Sequence, residues 1–168
     1  MESEKRDKAI FDIVLYGSAF KGKESPRDID IMIIFLEGQL KERLDKIQEI
    51  KFKIKKSMKQ EIDIKQIFLK ELFSPAFLAK TGILLEGFSI FNDASFSETL
   101  GFKSYALFWY NLDGLTHAQK VSFNYILAGR KTKGIIEQLE GERLVNGAVK
   151  IPMENSIVFE DILKANNI

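Results

Sequence analysis

Two apolar runs joined by a polar loop constrain this chain more than any other feature. Residues 11–16, FDIVLY, are rich in β-branched and aromatic side chains and stop at Gly17-Ser18. Residues 28–35, DIDIMIIF, resume the same character after a loop of nine residues, AFKGKESPR, that contains Gly22, Ser25 and Pro26. Short apolar runs bounded by turn formers read as buried strands. Asp28 and Asp30 stand at i and i+2. In a strand that spacing sends both carboxylates to one face and Ile29 and Ile31 to the other. Two carboxylates beside a buried strand repel each other and resist desolvation unless a cation compensates them.

The segments that follow extend the pattern. Over 39–58, Leu40, Leu44, Ile47, Ile50 and Ile54 recur at three- and four-residue steps, which predicts an amphipathic helix. Its other face carries Lys41, Arg43, Lys46, Lys51, Lys53, Lys55 and Lys56, read as a solvated face that a polyanion could also use. Residues 60–68, QEIDIKQIF, alternate as a third strand, with Asp63 and Glu61 on one face as alternative third carboxylates. Ser74-Pro75 looks like a helix start for 74–86, and 87–91 like a short edge strand.

Polar, small residues over 92–103 suggest a linker, dividing a first domain (1–91) from a second module (104–168). In that module 104–110 is aromatic and strand-like. Residues 116–128 open on a threonine cap and stop at Gly129, and a second short helix is expected over 131–140. Asn146-Gly147 between alternating arms predicts a hairpin in 142–151, and 154–165 closes as a helix. Tyr105, Phe108, Trp109 and Tyr110 are expected to pack in a core with Phe123 and Tyr125. Lys120, Arg130, Lys131 and Lys133 form a basic stretch suited to phosphate contacts, so this module is a candidate for docking nucleic acid or an acceptor. The order helix, helix, hairpin suggests a winged-helix-like α/β unit.

Composition narrows the chemistry. The chain has no cysteine, which excludes disulfides, zinc–thiolate sites and cysteine nucleophiles. Its one histidine, His117, has no ligand-type neighbour in sequence. A metal would therefore be held by carboxylate oxygens, which favours Mg2+ or Mn2+. No window approaches 18 apolar residues and no signal-peptide pattern is visible, so no membrane association and a cytoplasmic location are expected. The net charge of +1 argues neither for nor against a polyanionic partner.

Strand, Gly17-Ser18, loop, Asp28-x-Asp30, then Asp63 on a later strand is a combination with a direct physical reading. Glycine lets backbone N–H groups approach phosphate oxygens, the serine hydroxyl can donate to them, and the aspartates can share divalent cations. Over LYGSAFKGKESPRDIDIMIIF (15–35) and EIDIKQI (61–67) the sequence resembles the DNA polymerase beta-like nucleotidyltransferases, most closely their minimal members. The resemblance covers roughly residues 10–90. It implies an α/β (α+β) fold with a small mixed sheet and flanking helices. It also implies transfer of NMP from an NTP, with ATP the first expectation, to a hydroxyl on a protein or nucleic acid. Gly17 and Ser18 would bind the triphosphate, with Lys21, Lys23 or Arg27 of the loop as further contacts. Asp28, Asp30 and Asp63 would ligate Mg2+ or Mn2+. The minimal family includes antitoxins that adenylylate a HEPN-type toxin, which makes such a toxin one expected partner, with RNA or a small molecule such as an aminoglycoside as others. A non-catalytic nucleotide sensor or nucleic-acid-binding adaptor on the same fold is the rival reading. The oligomeric state stays open.

Overall fold

β-Branched residues concentrate in three early segments, and each forms a strand. The computed structural model describes residues 2–17, 28–56 and 60–168 and divides into two units, Met1–Phe102 and Lys103–Ile168. In the first unit a short helix, α1 (Glu2–Lys5), precedes β1 (Ile10–Tyr16) and β2 (Asp28–Phe35), which pair antiparallel. Helix α2 (Leu40–Lys55) then crosses over to β3 (Glu61–Phe68), which runs parallel to β2, as a parallel pair requires a long connection. After α3 (Leu69–Leu72) and α4 (Lys80–Glu86) come two short strands, β4 (Phe88–Ser89) and β5 (Ala94–Ser95), and helix α5 (Phe96–Thr99). The mixed sheet has the order β3-β2-β1-β4-β5.

Both faces of this sheet are covered. Ile31, Ile33 and Phe35 pack with Ile47 and Ile50 of α2 on one side. Val14, Met32, Ile34 and Ile67 pack with Leu72, Ile83 and Phe96 on the other. Burial on two sides explains why β2 is an unbroken apolar run from Ile31 onward and carries its charges only where it begins. The basic face of α2 is partly engaged by the N-terminal arm: Lys53 bonds Glu4 and Lys46 bonds Asp7.

One polar group lies deep in this core. The Asp12 side chain is 1 % exposed. Its carboxylate accepts from the Ser89 hydroxyl (2.6 Å) and the Ile13 N–H (2.7 Å), with longer bonds from the Phe91 N–H and the Asn92 amide (both 3.4 Å). It ties β4 to β1. Burial pushes its pKa up, against the pull of those hydrogen bonds.

Three expectations change in this unit. Residues 92–103 are not a linker: they contain β5 and α5, and Phe96 is fully buried, so the unit runs on to Phe102. Strand β4 is internal rather than an edge, because β5 pairs outside it. The helix expected from Ser74 starts at Lys80, since Ser74 spends its groups on a turn: its hydroxyl accepts from the Ala76 N–H and its carbonyl from the Phe77 N–H.

The second unit pairs β6 (Tyr105–Trp109) and β7 (Glu142–Val145) antiparallel on either side of β8 (Ala148–Pro152). Helices α6 (His117–Ala128), α7 (Ile135–Gln138) and α8 (Ser156–Ala165) contribute Phe123, Leu127, Ile136, Phe159 and Leu163 to a core with Val149 and Ile151. The threonine cap is present, the Thr116 hydroxyl accepting from the Gln119 N–H at 3.3 Å. Two expectations need correction. The helix expected over 131–140 is the single turn α7. The aromatic cluster also divides by strand alternation: Phe108 meets Phe159 (4.9 Å between centroids) and Tyr110 meets Phe123 (5.7 Å), while Tyr105, Trp109 and Tyr125 face solvent.

Candidate active site

Strand register decides which side chains of the first unit meet. Antiparallel pairing sets Tyr16 of β1 opposite Asp30 of β2, and parallel pairing sets Asp30 opposite Asp63 of β3. Residues directly opposite in a sheet share a face, so Tyr16, Asp30 and Asp63 form one row across three neighbouring strands spaced about 4.8 Å apart. The next row outward pairs Asp28 with Glu61. The C-terminal end of β1 and the N-terminal ends of β2 and β3 therefore bring four carboxylates to one end of the sheet, on the face that α4 and α5 cover farther along. Like charges directly opposite one another destabilise a sheet. The arrangement is a cost to the fold unless positive charge lies beside it.

The electrostatics carry the imprint of that crowding. Burial raises the pKa of Asp30, and the Asp28 and Asp63 carboxylates raise it further, against the opposing pull of Lys65. Burial also raises the Tyr16 phenol, with Lys65 lowering it and Asp30 and Asp63 raising it. Lys65, two residues beyond Asp63 on the same face of β3, sets its ammonium 3.2 Å from Asp63 Oδ2. That bond, with the charges of Tyr16 and Asp30 nearby, holds the lysine pKa above its ordinary value. Of the two acidic residues of β3, Asp63 perturbs Asp30, and Glu61 lies one row away beside Asp28.

Gly17 ends β1 with φ +79°, a left-handed conformation that L side chains rarely adopt. A Cβ built there would stand 2.7 Å from Asp30 Oδ2. Residue 17 thus lies beside the carboxylate, and a side chain there would force the carboxylate to shift. Ser18, Lys21, Lys23 and Arg27, singled out in sequence as phosphate contacts, lie outside the described residues.

An open cleft of about 440 Å3 at the start of β3 is lined by Asp28, Glu61 and Asp63, with Lys51 and Lys55 of α2. These two lysines stand out from the rest of the basic face. Their i, i+4 spacing puts them on one side of the helix, but only the crossover to β3 reveals that this side borders the carboxylates. Tyr16 and Lys65 were also not singled out in sequence. The alternation Asp63-x-Lys65 carried a signal for the second, whereas Tyr16 needed the register.

The donors at this end of the sheet are carboxylate and phenol oxygens, with no imidazole or thiolate, a set that suits Mg2+ or Mn2+. Among the described residues no group of three or more His, Cys, Asp or Glu side chains is placed as it stands to hold a metal ion. Asp63 is instead turned to Lys65.

In the second unit the basic residues separate. Arg130, Lys131 and Lys133 line one cleft with α6 and α7. Lys120 sits in the first turn of α6, and eight residues of helix, about 12 Å, separate it from Ala128 at the other end. It does not belong to the cluster. His117 is the first residue of α6, beside its cap, with no part in either cleft.

Comparison with known proteins agrees with the geometry. The family model described as polymerase beta, nucleotidyltransferase matches residues 2–87. No curated protein and no solved structure gives a significant match. The match spans β1, β2 and β3, the glycine turn and all four carboxylates, and ends before β4. With its match covering half of the sequence, this chain belongs to the polymerase beta nucleotidyltransferase family.

Proposed function

We propose that the first unit transfers NMP from an NTP, with ATP the first candidate, to a hydroxyl on a protein or nucleic-acid acceptor. The observation that carries this reading is the closeness of the glycine turn to the Asp30 carboxylate, where a Cβ on Gly17 would fall 2.7 Å from Oδ2, in a row that continues to Asp63. A turn that would bind phosphate and a carboxylate that would bind a cation then stand side by side.

The roles follow from position. Gly17 and Ser18, with Lys21 or Arg27 from the same loop, would hold the triphosphate. Asp28, Asp30 and Asp63 would hold Mg2+ or Mn2+. Bound there, the cation neutralises the triphosphate and acidifies the attacking hydroxyl. Asp63, at the far end of the row from the glycine turn, would take the hydroxyl proton. The acceptor oxygen bonds to the α-phosphorus, the bond from that phosphorus to the bridging oxygen breaks, and pyrophosphate leaves with the electron pair. Such transfer needs positioning and charge neutralisation more than covalent help from the protein. Lys51 and Lys55 border the carboxylates and could meet phosphate charge on either substrate.

The presence of Gly17, Asp28, Asp30 and Asp63 in one constellation favours catalysis over a sensor or adaptor role, because an abandoned catalytic site is free to lose one of them. A HEPN-type toxin is the leading protein acceptor on family grounds. The test is incubation with labelled ATP, GTP, CTP or UTP and magnesium against total protein and RNA. Label incorporation that disappears in D28A/D30A supports transfer. Nucleotide binding without incorporation supports a sensor, and RNA binding indifferent to magnesium supports an adaptor.

A further inference from the structure

The second unit contains a built cationic cleft that the transfer chemistry does not use. Residues 129–134 read Gly-Arg-Lys-Thr-Lys-Gly. Gly129 ends α6 at φ +77°, and a Cβ on it would lie 2.6 Å from Gly134 N. A Cβ on Gly134 would overlap the backbone of Leu127, Ala128 and Gly129. The two glycines therefore let the chain close on itself, and the four residues between them are held as a tight loop. Gln138 of α7 fastens that loop by donating to the Lys133 carbonyl (2.6 Å). A cavity of about 600 Å3 lies between this loop and α6, with Ser122, Tyr125 and Ile126 on its helical side and Arg130, Lys131 and Lys133 on the other.

Three cations in four residues repel one another, yet the fold fixes them together. Lys133 pairs with Glu137 (2.9 Å), an exposed i, i+4 pair of small worth. No carboxylate among the described residues pairs with Arg130 or Lys131. Beside them α6 leaves apolar surface open: Tyr125 is 46 % exposed and Ile126 39 %. The Arg130 guanidinium stands over the Tyr125 ring, 5.0 Å from its centre. An anionic ligand with flat, stackable groups satisfies both halves of this surface. An acidic peptide would meet the cations and leave the stacked ring unused. In a duplex the bases stack on one another and leave no free face for Tyr125, whereas an unpaired base offers one.

We propose that this cleft binds single-stranded nucleic acid, with phosphates on Arg130, Lys131 and Lys133 and a base stacked on Tyr125. Binding stands independently of the chemistry of the first unit. The corollary that the held strand supplies the acceptor hydroxyl rests on the transfer reading above.

The experiment is fluorescence anisotropy of the full chain with labelled 12-nucleotide oligouridylate and oligothymidylate, without NTP or metal, between 50 and 200 mM salt. A single strand loses affinity with a log–log slope of about −0.7 per neutralised phosphate. R130Q/K131Q/K133Q should flatten that slope by about 2 and weaken binding at least tenfold. Loss of a stacked base costs roughly 5- to 150-fold, so Y125A should weaken binding within that range while Y125F retains it. K120Q and D28N/D30N should bind as wild type, which keeps a failure here distinct from a failure of the transfer reading. The two oligomers distinguish RNA from DNA as the favoured strand. The proposal is overturned if the triple variant, shown folded by circular dichroism, binds as wild type. It is overturned equally if Y125A has no effect, or if a duplex or inorganic polyphosphate binds as tightly as the single strand.

Discussion

Gly17→Ala isolates the contact on which the active-site reading depends. The substitution has two consequences of different kind. An L residue in the left-handed region costs roughly 1–2 kcal/mol, and at about 4–8 °C per kcal/mol for a unit of this size the first unit should melt about 5–15 °C lower. The second consequence is local. The new Cβ would stand 2.7 Å from Asp30 Oδ2, about 0.6 Å inside a relaxed C···O contact of ~3.3 Å. The carboxylate must retreat from the turn by at least that amount, and displacements approaching 1 Å at a reacting centre cost on the order of 10²-fold in rate. Gly101→Ala supplies the control, because Gly101 has φ +85° but a Cβ there would meet nothing within 4 Å. Thermal melts of both variants should show similar losses, whereas label transfer from NTP should fall about 100-fold or more in Gly17→Ala alone. Equal activity in the two variants would refute the argument that residue 17 and Asp30 act as one site.

Three further outcomes follow from the same structure. Lys65→Met removes the cation that stands 3.2 Å from Asp63; since exposed pairs are worth up to ~1 kcal/mol, Mn2+ should bind up to about fivefold more tightly by electron paramagnetic resonance, and weaker binding would count against the carboxylate site. Asp12→Ala leaves the buried donors of Ser89, Ile13, Phe91 and Asn92 without their acceptor, so urea unfolding should show a loss of about 2–4 kcal/mol, with a change below about 1 kcal/mol contradicting its role as a tie. Acid titration should act on the N-terminal arm. Burial would raise the Glu4 pKa, but bonds from Lys53 and the backbone win and lower it from 4.5 to about 2, and Lys46 lowers Asp7. Stability from both is present above their ordinary values and is lost as pH falls toward 2. Asp12 works in the opposite sense, its raised pKa favouring the fold in acid and less so as pH rises through that value. A stability curve in Glu4→Gln that still falls as steeply between pH 4.5 and 2 would refute the arm's contribution.

The sequence made some parts of this structure legible and hid others for identifiable reasons. β1, β2, α2 and β3 could be read because burial on one or both faces imposes strong periodicity, and Asp28 and Asp30 could be placed because alternation fixes their face. Thr116 and Gly129 announced α6 through local cap chemistry. Register is different: it is a property of two strands, so the meeting of Tyr16 with Asp30, and of Asp63 rather than Glu61 with Asp30, had no local signature. Residues 92–103 read as a linker because small and polar residues dominate them, which outweighs the buried Phe96 that anchors them. Asp12 has no local signature within its apolar strand, because its side-chain partners Ser89 and Asn92 lie 77 and 80 residues away. The loop 130–133 was visible as charge, but the glycine closure that turns charge into a cleft is a tertiary fact.

The most direct test is a calorimetric titration of Mn2+ into the full chain in the presence of a non-hydrolysable NTP analogue, comparing wild type with Asp30→Asn. If the row of carboxylates beside Gly17 is the cation and triphosphate site, wild type binds the ion and the variant, equally folded, loses at least tenfold in affinity. Equal binding by the two would show that Asp30 does not hold the cation and would remove the basis of the proposed reaction.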